Sequence, residues 1–165
     1  MVAASPVERQ VWQLLAEVPD PEIPILNVIE LGVVRYVRDE HERGITVGVS
    51  PTYTGCPATE VIQASIKARL HDAGFTTVRV DSVLAPPWTS DWLTDSARAK
   101  LREYGIAPPA ESVDSPRRLF SEPTVQCPRC SSTQTQRVSQ FASTPCKALY
   151  RCTSCLEPFE YFKCI

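Results

Sequence analysis

The chain has 165 residues, 43% hydrophobic and 22% charged, with 17 Lys and Arg against 19 Asp and Glu for a formal charge of −2. That leaves room for one core and an appendage, and excludes a large multidomain enzyme. No run of about 18 apolar residues occurs, and Met1-Val2-Ala3-Ala4-Ser5 lacks a basic flank and apolar core, so neither a membrane span nor a signal peptide is expected and a cytoplasmic location is the default.

Ser5-Pro6-Val7-Glu8 has the form of a capping box, in which Ser5 takes the third amide, Pro6 suits the first helical position and Glu8 reaches back. Val7, Val11, Leu14, Leu15 and Val18 then recur at helical spacing until Pro19-Asp20-Pro21, which predicts a helix over 6–18. Val33 to Arg38 and Ile45 to Val49 are rich in β-branched residues and flank a polar stretch, Asp39 to Gly44, so they read as a hairpin. Pro57 to Ala73, with Val61, Ile62, Ile66 and Leu70 on one face and Gly74 behind them, reads as a second helix. Thr76 to Leu84 alternates as a third strand, and the crossover through the helix sets it parallel or adjacent to the strand before it in one sheet. Pro86-Pro87-Trp88 breaks that strand. Thr94 to Tyr104 follows as a third helix, with Ala97, Leu101 and Tyr104 aligned ahead of Gly105.

The seven cysteines are unevenly placed: Cys56 stands alone, while Cys127, Cys130, Cys146, Cys152, Cys155 and Cys164 crowd the last 39 residues. Disulfides do not persist in a reducing cytosol, so this cluster points to metal. Cys127-Pro128-Arg129-Cys130 and Cys152-Thr153-Ser154-Cys155 are two CxxC pairs separated by 21 residues. Each presents two sulfurs from one tight turn, and two such turns build a tetrahedral site for a structural Zn²⁺, with iron as the other candidate ion. Cys146 and Cys164 have two readings, as small buried hydrophobes or as metal-proximal groups that supply an alternative ligand. Phe159-Glu160-Tyr161-Phe162 reads as a final strand whose aromatics pack on the ribbon or on a partner. The fold class is thus α+β: a small mixed three-stranded sheet with helices packed on it over 1–106, a proline-rich linker over 107–123, and a C-terminal zinc-ribbon module over 124–165.

Residues 124–165 carry five basic and two acidic side chains. Four thiolates around one Zn²⁺ reduce that +3 to about +1, too little for a convincing phosphate-binding surface, so no nucleic-acid partner is expected. Cys56, in Thr52-Tyr53-Thr54-Gly55-Cys56-Pro57-Ala58, joins a strand end to a helix start. Free amides and the helix dipole there favour a thiolate, which makes Cys56 either a reachable functional thiol or a plain buried one. Asp20 and Glu22 are held in a loop by Pro19, Pro21 and Pro24, as turn-capping and solvated groups or as metal-proximal and proton-handling ones. Trp88 and Trp92, four apart in a polar stretch, suggest a lid or docking surface as much as core filler. There is no phosphate-binding glycine loop and no nucleophile elbow, and His41 and His71 fall in a turn and near a helix end, so catalytic turnover by this chain is not expected.

Over residues 6–104 the motifs Asp20-Pro21-Glu22, Leu31-Gly32-Val33-Val34, Thr54-Gly55-Cys56-Pro57 and Pro86-Pro87-Trp88-Thr89 resemble the small α+β domain of the SufT-like iron–sulfur maturation factors. The added ribbon, with Cys127-Pro128-Arg129-Cys130, Ser143-Thr144-Pro145-Cys146-Lys147 and Glu157 to Cys164, resembles the PaaD-type subunits encoded with the bacterial phenylacetyl-CoA epoxidase. The resemblance implies an accessory protein of aerobic phenylacetate degradation, not an enzyme, that assembles or delivers iron–sulfur or di-iron centres to the reductase or oxygenase subunits. It implies a role for Cys56 as the thiol that holds iron or a cluster transiently, with Asp20, Glu22, Thr54, Trp88 and Thr89 as its candidate neighbours. The first domain offers no second cysteine, so the remaining ligands would come from the ribbon, a partner or a second copy in a homodimer. The alternative is a non-catalytic structural subunit of the epoxidase complex, with a zinc-stabilised docking module and no metal traffic.

Overall fold

The structure is a computed structural model, and it describes residues 5–53, 55–109 and 124–163. Most of the expected linker, together with Thr54 and Cys164, lies outside the described residues. The chain divides into two compact units, residues 1–88 and 89–165.

The first unit opens with α1, Pro6–Leu15, on the expected capping box. Ser5 Oγ accepts from the Glu8 amide at 3.0 Å, and the Ser5 amide donates to Glu8 Oε2 at 2.8 Å. The helix stops three residues short of the expected end. Pro19 disfavours helical backbone at Val18, so the chain tightens, with Glu17 N on Leu14 O and Val18 N on Leu15 O. β1, Val34–Asp39, and β2, Ile45–Val49, form the expected antiparallel hairpin around a 3₁₀ turn at His41–Arg43. α2, Ala58–Asp72, then leads to β3, Val78–Ser82, which pairs parallel to β2 from Ile45↔Val78 to Val49↔Ser82. The sheet order is β1-β2-β3, a mixed three-stranded sheet with β2 buried along its length. α2 buries Ala58, Ile62, Ile66 and Leu70. The last two are fully buried, and removing each from water contributes roughly 1.5–3 kcal/mol. Val61, expected on that face, is half exposed, because one residue's step turns it about 100° from Ile62. Leu84 lies past the end of β3 and is exposed.

The second unit begins earlier than the sequence suggests. Residues 89–106, expected with the first domain, fall with the ribbon. α3, Asp95–Glu103, starts on Thr94, whose Oγ1 accepts from the Ala97 amide at 3.1 Å. It buries Ala97 and Leu101, whereas Tyr104, its C-cap, is exposed. Arg98 donates to the carbonyls of Ser90 at 2.9 Å and Pro109 at 2.7 Å, tying both flanks to the helix. β4, Ile106–Ala107, runs parallel to β7, Pro158–Phe162, and extends the hairpin of β5, Thr135–Ser139, and β6, Lys147–Cys152. The order is β4-β7-β6-β5. Ala107, Val125, Ala148, Tyr150, Phe159 and Tyr161 form its core, with Tyr150 edge-on to Tyr161 at 5.5 Å, so the aromatic strand packs on the ribbon itself. Among the described residues no helix is long and apolar enough to cross a membrane.

Candidate functional site

The four cysteines of the two CxxC pairs meet. The Ser131 amide closes back on the Cys127 carbonyl at 2.9 Å, the Cys127 amide reaches Ser132 O at 2.9 Å, and the Cys152 amide reaches Glu157 O at 2.9 Å. Ser131 and Leu156, each four residues past the first cysteine of its pair, hold left-handed φ values of 61° and 64°. That conformation costs about 1–2 kcal/mol in a residue with a Cβ, and its repetition shows two turns of one design. The Sγ atoms of Cys127, Cys130, Cys152 and Cys155 all lie within 4.8 Å of one another. Cys127 and Cys155 are 3.8 Å apart, and Cys130 and Cys152 3.5 Å. A tetrahedron with Zn–S bonds of about 2.3 Å has edges of about 3.8 Å, whereas a disulfide would need about 2.05 Å. The donor set therefore fits one tetrahedral Zn²⁺.

Protons and cation compete for these sulfurs. The Cys155 amide, against some desolvation, and the Ser154 amide lower the Cys152 thiol to about 6. At Cys130 the Ser132 amide also favours the thiolate, but the sulfur of Cys155, desolvation, and the sulfurs of Cys152 and Cys127 prevail and push it up to about 12. The Cys130 thiol therefore keeps its proton until a cation displaces it, whereas Cys152 offers a thiolate at neutral pH. The Ser132 and Ser154 hydroxyls, 2.9 Å apart, and the Arg129–Glu157 ion pair at 2.7 Å bridge the two turns. Sequence reasoning misses both bridges; the opposite charges inside one CxxC and two residues beyond the other are the available signal. Cys146 is buried, with Sγ 3.1 Å from Thr144 Oγ1. It lies in the turn before β6, whose Lys147–Cys152 run alone spans about 16 Å at strand rise, so the reading of Cys146 as an alternative ligand does not hold. Cys164 lies outside the described residues.

Cys56 sits just ahead of α2, with its amide on Tyr53 O at 3.2 Å, its carbonyl taking the Thr59 amide at 3.1 Å, and Gly55 at φ 80° making the bend. Thr52 Oγ1 lies 3.8 Å from the sulfur as a donor. The residue is only 8% exposed, which corrects the expectation of a reachable thiol. The loop leaves from the C-terminal end of β2. There the Ser50 amide meets Val33 O, Ser50 Oγ donates to Val83 O at 2.8 Å, and Trp88 Nε1 donates to Leu31 O at 3.0 Å. Trp88 is 2% exposed, so it is a core anchor and not a lid. Trp92 is partly buried, and Thr89 opens the second unit. Asp20 is buried, and its Oδ1 accepts from the amides of Glu22 at 3.0 Å and Ile23 at 2.7 Å, the turn-capping reading of this loop. Glu22 is partly exposed.

A mixed sheet with a single cysteine at its strand–helix junction, followed by a four-cysteine ribbon, makes a two-part protein with one metal-binding module, and comparison with known proteins places it in the metallocofactor accessory class. A family model described as "Iron-sulfur cluster assembly protein" matches residues 8–83, and one described as "PaaD zinc beta ribbon domain" matches residues 111–163. Over 162 residues the chain is 51% identical to the PaaD-type component of the putative 1,2-phenylacetyl-CoA epoxidase of Escherichia coli, covering 98% of this chain and 96% of that one, and it belongs to that family. The "Fe-S protein maturation auxiliary factor" of Porphyromonas gingivalis is 30% identical over 95 residues, 57% of this chain and 90% of the relative. The SufT factor of Staphylococcus aureus is 33% identical over 83 residues, 50% of this chain and 93% of its own. Among solved structures, a domain of unknown function from Bacillus anthracis matches 57% of this chain and 90% of its own at 25% identity, with a TM-score of 0.53.

Proposed function

We propose that this chain is a non-catalytic accessory protein of a cytoplasmic phenylacetyl-CoA epoxidase system, one that assembles or delivers iron–sulfur or di-iron centres to the reductase or oxygenase. The carrying observation is a near full-length likeness to an epoxidase component in a chain whose residues 8–83 match an iron–sulfur assembly family. Cys56 is the working thiol. The Thr52 hydroxyl steadies its sulfur, while Asp20 holds the turn at Glu22 and Ile23 and Trp88 holds the Leu31 carbonyl. Glu22, Thr54 and Thr89 are further candidate contacts to a client. A single cysteine cannot hold a cluster, so a client protein or a second copy of this chain supplies the other ligands. The ribbon holds Zn²⁺ and serves as folding staple and docking module.

The test is Cys56→Ser co-expressed with the reductase. The variant keeps its fold and its zinc, but the reductase emerges with lower cluster occupancy by iron analysis and visible absorption. Full occupancy refutes the role. The burial of Cys56 favours a second reading, a structural component of the epoxidase complex without metal traffic. It requires stoichiometric co-purification with the oxygenase and indifference to the Cys56 change.

A further inference from the structure

Of the described cysteines only Cys130 and Cys155 are exposed; Cys56, Cys127, Cys146 and Cys152 are buried. The metal centre thus has an outer face made of one sulfur from each turn and an inner face made of the other two. The sulfurs also pair across the turns: exposed Cys130 lies 3.5 Å from buried Cys152, and exposed Cys155 lies 3.8 Å from buried Cys127. We propose that the ribbon is a peroxide-sensitive redox switch, entered through Cys130 and Cys155 and closed by two cross-turn disulfides, Cys130–Cys152 and Cys127–Cys155, with release of the zinc.

The step balances. A thiolate of the outer face attacks one oxygen of a hydroperoxide, the O–O bond breaks with loss of hydroxide, and the paired inner thiolate then attacks the sulfur of the resulting sulfenic acid and expels a second hydroxide. Each disulfide takes two thiolates, one hydrogen peroxide and two protons, and yields two waters. Two peroxides therefore convert the four-thiolate site into two disulfides and one free Zn²⁺. The exposed sulfurs make this the first thiol chemistry among the described cysteines, ahead of the buried Cys56. Oxidation also alters the surface. With zinc bound the ribbon carries about +1, and with its sulfurs in disulfides it returns to +3, from five basic and two acidic side chains. A docking surface would register that change.

The test uses the full zinc-loaded chain, titrated anaerobically with hydrogen peroxide in the presence of a chromogenic zinc chelator. Free thiols are then alkylated and the chain is digested without reduction. Within the ribbon trypsin cuts after Arg129, Arg137, Lys147, Arg151 and Lys163, so Cys127 and Cys130 fall on separate peptides while Cys152 and Cys155 share one. The expected result is one zinc released per two peroxides. The peptide ending at Arg129 and the peptide 130–137 should each be disulfide-linked to 152–163, with fragmentation assigning 127–155 and 130–152, and Cys56 and Cys146 should be alkylated. Native electrophoresis should show two more positive charges. A link between the Arg129-terminated peptide and 130–137 overturns the pairing, and oxidation of Cys56 before zinc release overturns the switch.

Discussion

The ring of Tyr36 lies across the backbone of Gly48, so that a Cβ built on this glycine would stand 2.5 Å from Cζ and 2.6 Å from Cδ1. The two residues face each other across β1 and β2, and the same ring donates its hydroxyl to Asp81 Oδ2 on β3 at 3.2 Å while Arg38 stacks on it at 4.3 Å. Burial, with the negative charge of Asp81 and the hydrogen bond to it, raises the Tyr36 pKa above its ordinary value.

Gly48→Ala should therefore displace the ring and lose both contacts, at a cost of roughly 1–3 kcal/mol, the range for overpacking a close contact. The check is a double-mutant cycle with Tyr36→Ala, read by urea unfolding of tryptophan fluorescence. In the Tyr36→Ala background most of the cost should vanish. An equal cost in both backgrounds means that strand propensity, and not the ring, requires the glycine.

This glycine also marks what the sequence can convey. The capping box, the hairpin and the two cysteine turns are local patterns, and the parallel third strand, though its partners are 33 residues apart, follows from the handedness of a strand–helix–strand crossover, so each is readable. β4 is not, because two residues carry no periodicity, and its pairing with β7 depends on chain more than 50 residues away. For the same reason the helix of Ala97 and Leu101 reads as part of the wrong unit. Trp88 is anchored through the Leu31 carbonyl, 57 residues away in sequence. The position of Cys56 ahead of a helix is legible, but its burial depends on the loops folded around it, which no local spacing encodes.

Lys147 and Glu160 form the most buried ion pair of the ribbon's described residues, 2.7 Å apart with side chains 5% and 26% exposed. Burial pushes the Glu160 carboxyl up, but the Lys147 hydrogen bond, the Ser143 hydroxyl and amide, and the Lys147 charge outweigh it and hold it below the usual range. A depressed folded pKa contributes stability that is present above the unfolded value of 4.5 and lost as pH falls through the folded value. Glu160→Gln should cost roughly 1–3 kcal/mol at pH 7, less than a fully enclosed pair, and should flatten the acid limb of the stability curve. Thermal unfolding of both proteins at pH 7 and pH 3 checks it, since proton competition for the thiols affects both alike. Coincident curves would show that the pair contributes nothing.

Asp20 separates structure from delivery. Because Oδ1 serves two amides, Asp20→Ala should cost about 1–3 kcal/mol by leaving buried donors unmet, while Asp20→Asn keeps an acceptor and should cost well under that. If the carboxylate also handles protons or iron beside Cys56, the Asn variant will fold normally and still deliver less metal to the co-expressed reductase. Normal delivery by Asp20→Asn confines this residue to its turn.

Chelation should unfold one unit and spare the other. The ribbon's strands are held at one end by a site whose sulfurs stand 3.5 and 3.8 Å apart across the turns, a spacing that thiolates without a cation resist. A module this small depends on its metal for folding free energy. The first unit instead rests on fully buried Val11, Leu15, Val47, Ile66 and Leu70, none of which needs an ion. Treatment with a strong zinc chelator under reducing conditions should therefore abolish amide protection in β5, β6 and β7 and make Cys127 and Cys152 as reactive as Cys130 and Cys155. Protection in β1, β2 and β3 should stay within about twofold, because a foldon without metal ligands does not share their loss. Hydrogen exchange with mass spectrometry reads both units in one sample. Retained protection in β6 would mean that Tyr150, Phe159 and Tyr161 hold the ribbon by themselves, leaving the four sulfurs free for chemistry other than a staple.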